Sequence, residues 1–392
     1  MTNVLIDFDS NKCCGCLACA AVCPTGALRA AEDPLGFTVP GIDEGKCVDC
    51  GKCISVCPYR GNDPARNEPM AVYAAVNLKE EELLNSSSGG IFSVVARKVL
   101  AAGGVVFGAT MDADQRVFHR SITSVEEIPL LQKSKYVQSD LRDTFIEAKK
   151  ALENDTDVLF VGTPCQIAAL YTFLGSRPAH LITIDLVCHG VPSQSFFSDY
   201  IAFLRTKHKN MANYTFRAKK TVNNGMNWYV SWSDTKRTQI RNWPEDSFCY
   251  YYMMGHIYRD SCYDCRFAKR ERISDLTLCD YWNWERKHAI SFNKNAAVSG
   301  IVVNSEMGKA LLESIRDEIR IVESDYESLS MNNSCLIRGV SRSLIRDGLL
   351  SEWKKSGYKA IDKAFRKNHV LIRVKARILM LLPEPVKHLR GK

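Results

Sequence analysis

The sequence predicts two folded parts. A small α+β module over residues 1–62 is joined by a linker at 63–69 to an α/β domain whose sheet is mostly parallel. Three observations predict this. Eight of the sixteen cysteines form two identically spaced runs near the start. Two short apolar strands, at 157–161 and 181–187, are each followed by a turn and then a helical pattern. Of the 392 residues, 46% are hydrophobic and 24% charged, enough for real cores and incompatible with a disordered, collagen-like or disulfide-stapled small chain. No run approaches the roughly 18 apolar residues of a membrane span. Residues 1–10 carry neither a basic n-region nor an apolar h-region. The expected compartment is therefore the cytoplasm, where disulfides are rare, so sixteen cysteines point to metal or redox chemistry.

Cys13, Cys16, Cys19 and Cys23 read C-x2-C-x2-C-x3-C-P, and Cys47, Cys50, Cys53 and Cys57 repeat the pattern 34 residues later, an internal duplication. Three thiolates on one tight loop suit three irons of a cubane, while a short helix carries the fourth to the other cluster. Cys13, Cys16, Cys19 and Cys57 are thereby assigned to one [4Fe–4S] cluster, and Cys47, Cys50, Cys53 and Cys23 to the second. Zinc prefers paired C-x2-C knuckles with a longer gap between pairs, and the proline after each run stops the helix. Residues 33–39 read as a turn leading into a strand. Cys14 is out of register and reads as a bystander. The block resembles a bacterial-type two-cluster ferredoxin. That implies a ferredoxin-like α+β fold and single-electron carriage, without a substrate site of its own.

Beyond the linker, 70–76 reads as a strand and 78–84 as a helical turn. Ser87, Ser88, Gly89 and Gly90 then open an amphipathic helix at Ile91. Free N–H donors and the positive end of a helix dipole suit a cofactor pyrophosphate, although an ordinary cap and loop has the same sequence. Residues 105–109 read as a buried strand. The loop at 133–139 carries Lys135 and Tyr136, which fit phosphate or an isoalloxazine ring, or simply a solvated basic loop.

The two strand–turn–helix units end in Gly162-Thr163-Pro164-Cys165-Gln166 and Cys188-His189-Gly190-Val191-Pro192. A helical crossover makes their strands parallel, so both turns fall on the carboxyl edge of the sheet, where open α/β folds place ligands. Cys165 and Cys188 then project into one crevice, or are two buried core thiols. Cys262 and Cys265 form a C-x2-C knuckle that completes four ligands for a third centre, zinc or a cubane. A third [4Fe–4S] cluster is preferred, since two others precede it and a conduit needs an acceptor. His189, beside one of these ligands, is either a proton relay or a satisfied core histidine. Cys249, Cys279 and Cys335 sit in apolar contexts and read as core residues.

Together these motifs, with Ser134–Ser139 and the run from Arg272 to Trp282, resemble the beta-subunit family of coenzyme F420-reducing hydrogenase and dehydrogenases across residues 70–305. The resemblance implies an N-terminal part at 70–155 and a C-terminal part at 156–335, an α/β flavin and iron–sulfur domain. It implies FAD as well as the cluster, with Cys165, Cys188, Cys262 and Cys265 as cluster ligands and the Ser87–Gly90 turn and Lys135 loop as flavin contacts. Many relatives carry glycine where this chain has Cys279, which argues against that thiol as a ligand. The implied activity is a flavin- and iron–sulfur-dependent oxidoreductase, fed by a ferredoxin or other redox partner protein. Its substrate is unidentified, coenzyme F420 being one specific case. The alternative is a non-catalytic electron-transfer subunit feeding a partner enzyme.

The last part, 336–392, reads as a basic helical tail. From Lys359 onward ten Lys/Arg face two acids, Asp362 and Glu384, which accounts for the whole net charge of +8. Apolar residues outnumber cations from Val370 to Pro383. That pattern suits a helix packed on the domain, one docked on an acidic partner, or one on an anionic membrane surface. Nucleic acid is not expected, because only Tyr358 and Phe365 are available to stack on bases.

Overall fold

The structure is a computed structural model that describes residues 12–60, 63–141, 143–221, 229–235, 237–293 and 296–381. The stretch at 1–10 and the tail beyond Leu381, Pro383 included, lie outside these residues.

In the cysteine module the duplication is visible as structure. Helices Ala18–Ala21 and Lys52–Ser55 occupy matching positions of the two runs. Each is entered through a left-handed residue, Leu17 (φ 57°) and Gly51 (φ 71°). Between them β1 (Leu28–Glu32) and β2 (Thr38–Ile42) pair antiparallel, with Leu28 opposite Ile42. The connecting turn is held by Asp33, whose Oδ1 accepts from the amides of Leu35 (2.8 Å) and Phe37 (2.9 Å). This is the side-chain-to-backbone bonding that makes aspartate a turn former.

The larger part begins with β3 (Ala71–Asn77), β4 (Val105–Met111), β5 (Val117–Ile122), β6 (Val158–Gly162) and β7 (Leu181–Leu186). It continues with β8 (Ala212–Ala218), β9 (Tyr229–Ser233) and β10 (Thr238–Asn242), then β11 (Leu276–Asp280), β12 (Ser299–Val303) and β13 (Ile319–Ser324). Eight strands form one sheet in the order β13-β3-β12-β11-β7-β6-β4-β5, while β8–β10 make a separate antiparallel sheet. The centre is parallel, as the two strand–turn–helix units predict: β11 with β7, β7 with β6, and β6 with β4. The flanks are antiparallel, so the sheet as a whole is mixed. On one flank the link from Met111 to Val117 is too short for a crossover, which forces a hairpin. Strands from both sides of residue 155 share this sheet, since β3 lies between β12 and β13.

β6 is buried along its whole length and splits its side chains by the period-2 rule. Leu159 and Val161 join Val94, Val95 and Val99 of helix Ile91–Ala101, whereas Val158 and Phe160 join Ile167 and Leu170 of helix Pro164–Leu174. That second helix starts three residues earlier than its apolar pattern suggests. Thr163 and Gln166 form a capping box with Pro164 in the first turn, so Cys165 sits on the helix and not in the loop before it.

The stripe of Leu311, Leu312, Ile315 and Ile319 fits one amphipathic helix over 307–319, but a single helix is not what forms. Helix Glu306–Ser314 gives way to a 3-10 turn and then to β13. All four residues do enter one core. The β-branched alternation from Ile319 onward pairs with β3, and this overrides the helical period. Near the end, helix Arg346–Asn368 breaks at Gly357 (φ 72°) and buries Trp353, Tyr358, Ile361 and Phe365 in an aromatic core with Phe196, Tyr200 and Phe248. Helix Val370–Leu381 rests on β10, where Asn242 Nδ2 donates to the Ala376 carbonyl at 2.6 Å, and it turns Leu371 outward (85% exposed). Among the described residues no helix is long and apolar enough to cross a membrane.

Candidate functional site

The ends of β6, β7 and β11 open onto a cavity of about 330 Å3, where an open α/β sheet places a ligand. One end is a thiol centre. Cys165 comes from the first turn of its helix, Cys188 from the turn after β7, and Cys262 and Cys265 from the knuckle that precedes β11; all four line the cavity. Burial first, then repulsion by Cys262, Cys165 and Cys265, holds the Cys188 thiol well above its ordinary pKa. Burial and Cys265 push Cys262 up to about 12. These four half-buried thiols penalise one another's ionisation, and a cationic iron–sulfur core relieves that penalty when it binds them as thiolates. The donor set therefore fits a cluster. Among the described residues no three Cys, His, Asp or Glu converge as ligands of a single metal ion do, whereas a cubane spreads its thiolates over its corners.

Next to this centre lies the first ferredoxin-type site. Burial, Cys13 and Cys57 raise the Cys19 thiol to about 12, which places the fourth cysteine of the second run beside the first run, as the crossed assignment requires. A smaller hollow is lined by Cys13, Cys16, Cys19 and Cys57. Cys53 feels Cys50 and Cys47, and Cys50 is exposed, so this second set faces outward.

A second region of the cavity lining is cationic. The Ser87 hydroxyl accepts from the Ser134 amide at 2.8 Å, which ties the Ser-Ser-Gly-Gly turn to the Lys135 loop. Ser87, Ser88 and Gly90 line the cavity. Gly89 instead packs against the sheet, where a Cβ would meet the Ala75 carbonyl at 2.4 Å. Lys135 Nζ donates to the Gln132 carbonyl at 2.6 Å, and burial followed by Lys133 lowers its pKa to about 7. Lys219, on the segment after β8, donates to the carbonyls of Ser88 (2.6 Å) and Leu83 (3.0 Å). Burial and Arg217 lower it to about 7 as well. Arg217 pairs with Asp280 at 2.5 Å. Tyr136, stacked on Tyr252 at 4.2 Å, also lines the cavity. Crowded cations around a serine-rich helix start fit a phosphate-bearing cofactor, whose charge would relieve their repulsion.

His189 lines the cavity, and burial lowers its pKa, with Asp280 and Arg217 the charges nearest it. His119 was not apparent from the sequence. Its Nε2 lies 3.0 Å from the Val161 carbonyl, which only accepts, so Nε2 holds the proton and Nδ1 is a bare acceptor. Nδ1 is buried without a partner, and burial lowers the imidazole to about 4. The usable signal was a polar residue on the inward register of β5, beside Val117. Cys14 lines both hollows, and its thiol lies beside those of Cys16 and Cys165. Cys335 lines the cavity beside Cys265, and Cys279 lines it too, with its Sγ 3.8 Å from the Gly300 carbonyl. Cys249 is a core thiol near the Tyr214 hydroxyl at 3.6 Å.

Duplicated cysteine loops of this spacing, folded as two matching turn-and-helix halves, define an iron–sulfur protein. Residues 12–60 match the model of the 4Fe-4S dicluster domain and hold two [4Fe–4S] clusters. Residues 155–328 match the family described as the C terminus of the coenzyme F420 hydrogenase/dehydrogenase beta subunit. Among solved structures, the chain aligns with one in the F420-reducing [NiFe] hydrogenase complex from Methanosarcina barkeri, studied by xenon derivatization. The TM-score is 0.46 at 13% identity, over 76% of this chain and 92% of that one. None of the curated proteins matches the sequence.

Proposed function

We propose that the chain is an iron–sulfur flavoprotein oxidoreductase. Its electrons pass between a redox partner protein, the two ferredoxin-type clusters, a third [4Fe–4S] cluster on Cys165, Cys188, Cys262 and Cys265, and FAD. The substrate is an organic two-electron acceptor or donor, of which coenzyme F420 is one case. The observation that carries this reading is that one cavity is lined both by the four thiols and by Ser87, Ser88 and Lys135. Bound there, FAD supplies the exchange between one-electron and two-electron chemistry. Lys135 and Lys219 hold the diphosphate, His119 offers an acceptor to an N–H donor, and His189 relays a proton between the cavity and its ligand. The second thiol set receives the partner: Cys50 is exposed, and Val48 beside it is 63% exposed.

Protein purified without oxygen is expected to hold about twelve irons, as much acid-labile sulfide, and about one FAD per chain. About eight irons without flavin would overturn both the third cluster and the flavin, and leave an electron-transfer subunit.

The two lysines give a second expectation. Both lose charge near pH 7 in the ligand-free protein, and an anion favours their protonated forms and raises both pKa values. FAD binding to flavin-free protein at pH 7–8 should therefore take up protons, and affinity should fall as pH rises through that range. Calorimetry in buffers of different ionisation enthalpy measures the uptake. Lys219→Gln should reduce it and weaken FAD roughly tenfold, about 1.4 kcal/mol. Unchanged uptake would remove Lys219 from the site.

A further inference from the structure

Arg259 is 3% exposed and lies between the first and third thiol sets. Nη1 donates to the Cys13 carbonyl at 3.0 Å, and Nη2 donates to the Thr38 carbonyl at 2.6 Å. Nε and Nη2 both reach Gln138 Oε1, at 3.2 and 2.6 Å. Gln138 turns its amide to the same loop, donating to the carbonyls of Cys14 (3.1 Å) and Gly15 (3.3 Å). Ser261 Oγ donates to the Cys13 carbonyl at 3.0 Å. Gly15 has φ +68°, and a Cβ there would sit 2.3 Å from Gln138 Nε2 and 2.8 Å from Arg259 Nη2. The loop that carries the first thiol set is thus pressed directly onto the segment that carries Cys262.

Every one of these acceptors is neutral. Among the described residues no carboxylate forms an ion pair with Arg259, because the neighbouring Asp260 is engaged by Arg342 and Arg346. A buried guanidinium without a counter-charge is costly, and proteins pair such groups. The groups at hand to balance it are thiolates. Arg259 donates to the Cys13 carbonyl, stands three residues before Cys262 in the chain, and lines the same cavity as Cys165, Cys262 and Cys265.

We propose that Arg259 is the positioning residue of the electron path between the first and third cysteine sets. Its charge is the shared counter-ion of both, and its fork, with Gln138 and Ser261, fixes their approach. This rests on the reading of Cys165, Cys188, Cys262 and Cys265 as cluster ligands. Each transfer moves one electron, oxidising one cluster as it reduces the other, with no bond made or broken and no proton required. A fixed positive charge favours the more negative, reduced form of each.

The test uses the full-length holoprotein in redox titrations followed by EPR, with iron content measured in parallel. Arg259→Gln should keep its iron and lower the potentials of the first and third clusters. The expected change is roughly tenfold in each one-electron equilibrium, about 59 mV. Arg259→Lys keeps the charge but cannot reach the same carbonyls together. Its potentials should return toward wild type, while transfer from the first to the third cluster, followed by freeze-quench EPR, stays slower. Unchanged potentials in Arg259→Gln with iron intact would overturn the counter-ion role. Should that variant lose iron, the Gln138→Leu/Ser261→Ala double variant serves instead. It leaves the charge and should speed hydrogen exchange in residues 13–15, and unchanged exchange would overturn the positioning role. Iron content of the wild type decides the third cluster by itself. The first cluster reports on Arg259 in either case, so the two failures are distinguishable.

Discussion

Cys262→Ser is expected to strip about four of about twelve irons from the protein and erase one EPR signal of the dithionite-reduced form, leaving both ferredoxin-type signals in place. Cys262 is buried among its partners, with Cys265 and Cys165 acting on it. Serine cannot replace it, because an alkoxide is far harder to form than a thiolate in a site that already resists ionisation. Flavin reduction by an external one-electron donor should then collapse, while reduction of the flavin by a strong chemical reductant persists. Cys279→Ser provides the contrast. Its Sγ lies 3.8 Å from the Gly300 carbonyl, and Asp280, Arg272 and Asp185 rather than the four thiols act on it, so iron content should stay at the wild-type level. Full iron in Cys262→Ser, or loss of iron in Cys279→Ser, would show that the ligand set is wrong.

What the sequence made legible was what is local in the chain. The C-x2-C-x2-C-x3-C-P runs, the turn at Asp33, and the strands ending at Gly162 and Leu186 each encode their geometry within about ten residues. Placing Cys165 and Cys188 in one crevice needed only the rule that parallel strands end on the same edge. The missing pieces arrive from far away. Lys219 and Arg217 lie on and just after β8, His119 comes from β5, and no motif within those segments marks them. They reach the Ser87–Gly90 turn and the end of β6 only through tertiary packing. Cys14 looked like a bystander because register within its own loop was the only criterion. Its contact with Cys165 exists because the two parts of the chain dock. Ile319 misled in the other direction: a helical stripe and a β-strand both bury it, and only pairing with Asn77 decides between them.

A second large effect is expected from the ion pair that anchors the C-x2-C knuckle to the sheet. Arg272 Nη2 lies 2.9 Å from Asp185 Oδ1, and both side chains are about 1% exposed. Asp185 is on β7 in the middle of the sheet. Arg272 also donates to the Phe267 carbonyl and to Thr277 Oγ1, both at 3.2 Å, so its guanidinium ties the segment after Cys265 to the start of β11. Arg272→Leu leaves a buried carboxylate with no counter-charge, a loss of about 3–5 kcal/mol. In anaerobic urea unfolding, at a slope of about 2 kcal/mol/M, the midpoint should fall by roughly 2 M. Asp185→Leu/Arg272→Leu removes both charges from the same apolar surroundings and should recover most of that loss, because the cost lies in the orphaned charge and not in a missing attraction. Iron held at the proposed third cluster separates the two roles of the arginine. With Phe267 no longer held, the double variant should regain stability yet release iron from the knuckle faster than wild type. If it recovers stability and iron retention together, Arg272 acts only through its charge. A single variant within about 1 kcal/mol of wild type would instead mean that Asp185 finds another partner in the core.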